Sequence, residues 1–275
     1  QRLFFQKFRI KEKEGEFDDQ VVENIERFIP YRNEAISLFV TIAQYSPIEE
    51  NIFKLHRFLE GLIPYTNRPE NVNRWSEWDF DNFKFIAHEL YLYLVAVFIR
   101  NERFSEVNLL LSQQFYVSGN SDYGKDVMVG SGAFQYHLRS LEHRNNRLEL
   151  NRLSLHADLL EQRSKSSGLE FRYLMQADFV LFMRAEIQRA DIYSSWFPDT
   201  LLYVGRFHSA FEVFARSSSK SYFEKAKCIL GIDKPSDLDE LIAAYQANRQ
   251  RLPRWQFESF SPAVLLGYDQ LATKP

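Results

Sequence analysis

Cysteine is nearly missing. Cys228 stands alone in 275 residues, which excludes an internal disulfide framework, removes cysteine-built zinc sites and fits a reducing, cytoplasmic setting. A field of one sign is missing too: 34 basic against 37 acidic residues leave a net charge of −3, so no whole-molecule potential steers nucleic acid. The opening QRLFFQKFRIKEKEGE has no apolar run long enough for a signal peptide. The longest apolar stretch, LYLYLVAVFI at 90–99, is flanked by Glu89 and Arg100; at half the length a bilayer needs, it predicts a buried helix and no membrane partner. The first residue is Gln1, so a fragment or processed product is expected.

Catalytic signatures are equally sparse. The six histidines, at 56, 88, 137, 143, 156 and 208, show no metal-helix spacing, and only the fold could bring them together. No nucleophile elbow or paired-carboxylate motif appears. GNSDYGKD at 119–126 imitates a P-loop through Gly119, Gly124 and Lys125, but Asp126 stands where a Ser or Thr must reach magnesium. Lys125 is therefore expected not to bind ATP. Neither a cofactor nor a metal is expected from the sequence.

What is abundant is aromatic and helical. Phe, Trp and Tyr make up 16% of the chain, hydrophobic residues 45% and charged residues 26%, the balance of a folded domain whose rings serve mainly as core anchors. Helical periodicity runs through 18–29, 33–45, 48–63, 80–101 and 103–114, with FDNFKFIAHELYLYLVAVFIRN (80–101) the central helix. Two short β-prone runs flank a Gly/Asn/Ser loop at 115–132. No Gly or Pro interrupts Ala133 to Lys165, which predicts one long helix of up to ~50 Å. Ser167 and Glu170 read as a capping box for the following helix. The expected architecture is mainly α: an N-terminal helical part (1–114), a loop or small hairpin (115–132) and a C-terminal helical part (133–275).

Two groups of residues are candidates for function. Arg139, His143, Arg147, Arg152 and His156 fall on the predicted 133–165 helix, where guanidinium and imidazole side by side can hold phosphate or move a proton; the plainer reading is a salt-bridge-laced surface. Trp196, Phe197, Tyr203, Arg206, Phe207, Phe211 and Arg216 surround a proline break, and aromatic and Arg anchors dominate interfaces; the plainer reading is an irregular core corner. Asp178, among Phe179, Leu181 and Phe182, is expected to need a buried partner, an arginine by preference.

The words RSLEHRNNRLEL, SLHADLLEQR, LMQADFVLFMRAEI, WFPDTLLY and FEVFARS, within 131–230, resemble an uncharacterised helical region of bacterial multidomain proteins, some with a TIR-type effector domain and a suspected role in anti-phage defence. The resemblance implies a module of a larger protein and carries no catalytic residue with it. The expected function is a non-catalytic helical module that binds a protein partner, senses a trigger or self-assembles. The alternatives are a metal-independent nuclease using Arg and His of 133–165, and a two-copy helical repeat built on Ile-Pro-Tyr at 29–31 and 63–65.

Overall fold

Three amphipathic helices lead the chain in a computed structural model, which describes residues 8–10, 15–68, 75–76, 78–118, 126–188, 195–205, 209–256 and 258–275. They are α1 (Phe17–Arg27), α2 (Ile29–Tyr45) and α3 (Glu49–Glu60). Pro30 occupies the first turn of α2, just after the break at Phe28, where the amide it lacks has no intrahelical acceptor. The central helix α4 (Asp81–Arg100) and α5 (Phe104–Leu111) follow. Strands β1 (Phe115–Val117) and β2 (Val127–Val129) pair antiparallel with Phe115 opposite Val129. Then come α6 (Arg139–Arg147), α7 (Leu155–Ser164), α8 (Phe171–Gln188), α9 (Glu212–Arg216), α10 (Lys220–Ala226), α11 (Asp239–Ala247) and α12 (Pro262–Leu266), with single 3-10 turns between several of them.

The fold is organised around α4. Every residue from Asp81 to Ile99 is buried. By length and composition α4 is apolar enough to cross a membrane, yet protein covers it completely: α1 and α2 pack on it, as do α5 and α8. A helix buried on all sides must find partners for its polar groups, and each of these partners comes from a different segment. Asp81 accepts from the backbone and hydroxyl of Ser140 at 2.9 and 2.7 Å, fixing the start of α6. Asn82 donates to the Phe8 carbonyl. Glu89 lies between Arg32 of α2 and Arg163 of α7. The polar side chains of α4 thus set the register of the helices around it.

The long helix expected over 133–165 is absent. Residues 131–134 form a 3-10 turn, 135–138 are extended, and a loop separates α6 from α7. Local side-chain bonds break the helix without Gly or Pro. Asn145 grips the backbone of Arg152 in both directions, donating to its carbonyl (2.8 Å) and accepting from its amide (3.0 Å). Glu149 and Asn151 adopt left-handed φ of 50° and 52°, which Asn tolerates better than most residues. The Ser154 side chain then caps α7 by accepting from Ala157. The capping box at Ser167 and Glu170 is not formed either: the Ser167 hydroxyl accepts from Leu169 in a turn, and α8 starts at Phe171. Nor does the hairpin divide the core, since one hydrophobic cluster runs from Ile25 and Phe85 to Phe179 and Leu265.

Candidate functional site

A cavity of about 540 Å³ opens where α6, the α6–α7 loop, α7 and the 195–199 segment meet. Leu153, Phe197 and Trp255 are among its walls, and His156 and Asp199 line it. Leu153 and Phe197 are exposed at 41% and 36%, and the same loop exposes Leu148 and Leu150. The Asn145–Arg152 bonds hold that loop, so its leucines are presented on a fixed frame. The polar side chains His137 and Glu142 on the wall lie within 3.2 Å of each other.

Beneath the cavity the fold assembles what spacing could not show. His88 of α4 and His156 of α7 meet edge to face, ring centroids 4.7 Å apart. His156 Nδ1 lies 3.4 Å from Asp199 Oδ2. His88 stacks on Trp196 (5.3 Å, 12° between planes), and His156 packs against Phe85. His88 Nδ1 is 2.9 Å from the Phe134 carbonyl. A carbonyl only accepts, so Nδ1 carries the proton and Nε2 keeps its lone pair. That Nε2, and Nε2 of His156, are buried with no hydrogen-bond partner in the protein, a condition that costs about 1–3 kcal/mol per group.

Next to them, Asp178 of α8 accepts from Trp196 Nε1 (2.6 Å), Thr200 N (2.8 Å) and Thr200 Oγ1 (2.6 Å). The expected arginine partner is therefore replaced by an indole and a threonine. Arg184, on the same helix, instead donates to the carbonyls of Cys228 and Ile229. Among the described residues, no Lys or Arg pairs with Asp178 or Asp199.

Burial decides the charges here. It pushes Asp178 up to about 7, against the Thr200 and Trp196 donors, and Asp199 up to about 6, opposed by His88. It pushes His88 down to about 4, helped by His156, and His156 down to about 3. The imidazoles are thus neutral at ordinary pH. Their contribution to stability is complete above the unfolded value of 6.5 and is lost as pH falls towards those folded values. Asp178 works in the opposite sense: its contribution is complete below 3.8 and is lost as pH rises through about 7. Replacing Asp178 by Asn removes that acid-side term. The stability advantage of the native protein over Asp178→Asn should therefore shrink between about pH 4 and pH 7 in melts taken across that range; an advantage that does not change with pH would mean an ordinary carboxyl.

The sequence candidates are not brought together on one face. Arg147 Nη2 lies 2.7 Å from Asp18 and 2.9 Å from Asp19, Arg144 pairs with the same two acids, and His143 lies 4.0 Å from Asp18. Of the expected phosphate face, Arg147 is thus taken up by the acids of α1. Arg152 pairs with Asp158, and Arg139 is exposed at the start of α6. His156 is buried in the cluster just described. Of the interface candidates, Trp196 is 4% and Phe211 6% exposed, so both are core: the proline break folds the segment back onto α8 instead of leaving its rings outside. Tyr203 is half-buried, its ring against Phe171 and its hydroxyl on Asp158. Arg216 pairs with Glu102 and covers the Tyr222 ring. Among the described members of that group, Phe197 alone stands at the surface cavity. Arg206, Phe207 and Lys125 lie outside the described residues.

Sequence reasoning also missed a buried triad. Arg163 meets both Glu89 oxygens, at 2.9 and 2.7 Å, while Arg32 reaches Oε1 at 3.1 Å. Burial alone would raise the Glu89 carboxyl, but Arg163 and then Arg32 outweigh it and hold it below its ordinary value. All the partners are distant in sequence, so no local pattern announces them.

Compared with known proteins, the chain matches no family, no curated protein and no solved structure.

Proposed function

We propose that this chain is a non-catalytic helical module that takes an uncharged, apolar-anchored segment of a protein partner into the cavity between α6, α7 and the 195–199 segment. The observation that carries this reading is the pair of exposed apolar side chains at the cavity, Leu153 and Phe197, with Leu148 and Leu150 exposed on the same loop as Leu153. Leu148, Leu150, Leu153 and Phe197 are all exposed, the loop bearing the leucines is held by Asn145, and Leu153 and Phe197 line a cavity of about 540 Å³. Pre-organised apolar residues around a concave surface are what a protein anchor docks against. Charge argues for the chemistry of the occupant. His137 and Glu142 lie within 3.2 Å of each other, and Arg144 and Arg147 of α6 are held by Asp18 and Asp19, so little is left to select a charged ligand or nucleic acid. The resemblance of 131–230 to helical regions beside effector domains supports placement within a larger bacterial protein. The nuclease alternative is less favoured, since Arg147 and Arg152 pair with acids and His143 lies near Asp18, which separates them from His156 at the cavity.

A displayed library of random peptides, panned against the purified chain, tests this. Enriched peptides should carry two or more Leu, Ile or Phe and little net charge. Their affinity should fall about tenfold or more in Leu153→Asp and in Phe197→Asp, with melting temperature little changed. Failure to enrich, enrichment of highly charged peptides, or peptides indifferent to both substitutions would overturn the reading.

A further inference from the structure

We propose that His88, His156 and Asp199 form a binding site for one divalent transition-metal ion of the zinc class. One nitrogen from each imidazole and one carboxylate oxygen lie within 4.8 Å of one another, and all three residues are buried. Two nitrogens and one oxygen are the donor set of open, three-ligand zinc sites; magnesium and calcium prefer oxygen alone. With bonds of about 2.0–2.2 Å, tetrahedral donors stand roughly 3.4 Å apart, so closure needs side-chain shifts of about an ångström.

Two further observations point to a cation. The first is the state of the rings. His88 Nδ1 donates to the Phe134 carbonyl, the outer hydrogen bond that orients a metal-binding histidine, and its Nε2 has no protein partner. A water can satisfy such a nitrogen, but two imidazoles and a carboxylate converging in one place ask for more than a water offers. The second is charge. Asp178 and Asp199 are both buried beside the rings, and no Lys or Arg pairs with either among the described residues. Asp178 has both oxygens engaged by Trp196 and Thr200, so it is not counted among the ligands. His156 and Asp199 line the cavity, so water or a small anion can reach the site from there to complete the coordination.

A second grouping, Glu16, Asp18 and His143, also comes within ligand range, but Arg144 and Arg147 already occupy Asp18, which makes it the control. The inference stands apart from the docking reading, since neither Leu153 nor Phe197 contributes a ligand.

The test uses the purified chain stripped with EDTA. Zinc is titrated in competition with a fluorescent chelator, and Co2+ is followed by its visible ligand-field bands. One equivalent should bind, cobalt should show bands of a nitrogen–oxygen site, and zinc should raise the melting temperature. Asp199→Asn and His156→Ala should each weaken zinc about tenfold or more, while His143→Ala leaves it unchanged. Absence of saturable one-equivalent uptake by the native chain overturns the proposal whether or not the variants fold. So does uptake lost in His143→Ala and kept in Asp199→Asn.

Discussion

Glu89→Gln should cost about 3–5 kcal/mol of folding stability. Among the described residues, Glu89 is the only carboxylate that both fully buried guanidiniums reach. Arg163 touches Glu26 only at 3.5 Å, and Glu26 is partly exposed. Without the Glu89 charge, two cations remain in the core among Phe85 and Tyr93, where desolvation is largely uncompensated. Gln preserves shape, so the loss isolates charge from packing. Replacing all three residues by apolar side chains should recover much of this loss but not all of it. Arg163 also donates to the Ile25 carbonyl and Arg32 to that of Arg163, and those two bonds would be lost with the guanidiniums. Denaturant unfolding of the single and triple variants checks both statements. A loss under about 1 kcal/mol in Glu89→Gln would mean that water screens the triad.

Trp196→Ala should cost ~3–5 kcal/mol through the void it opens and the packing it removes, with no change in assembly. The indole is 4% exposed, lies flat on His88 and donates to Asp178. Trp196→Phe separates the two roles: most of the packing stays, and the missing donor leaves Asp178 short of a bond, about 1–3 kcal/mol. Melts beside sedimentation measurements decide the matter; an unshifted melt with weakened self-association would restore Trp196 as an interface residue.

How far the fold was legible follows from where its determinants lie. The helical class, the buried central helix and the small hairpin are written in local periodicity, and all three are present. The break at 148–154 was not legible because it depends on Asn145 bonding a backbone seven residues away, a contact with no compositional mark. WFPDTLLY left interface and core corner both open because a proline-broken segment has no single helical stripe. Yet an irregular segment buries rings well when an aspartate on the neighbouring helix satisfies its indole and amide. The site was least legible of all. His88 and His156 sit on different helices, and Asp199 begins a 3-10 turn. Only the packing of α7 and that turn around α4 brings them together.

The coverage of α4 has a consequence for synthesis. A nascent chain exposes that helix when Arg100 leaves the ribosome, but α8, one of the helices that buries it, ends at Gln188. At ordinary translation rates that interval is on the order of 5–20 s. During it the cell holds a segment that composition alone cannot distinguish from a bilayer span. Glu89 and Lys84, charged groups near its middle and start, then discourage misdelivery to a membrane. The same carboxylate that later joins α2 to α7 thus gives the unfinished helix a charge that a bilayer disfavours.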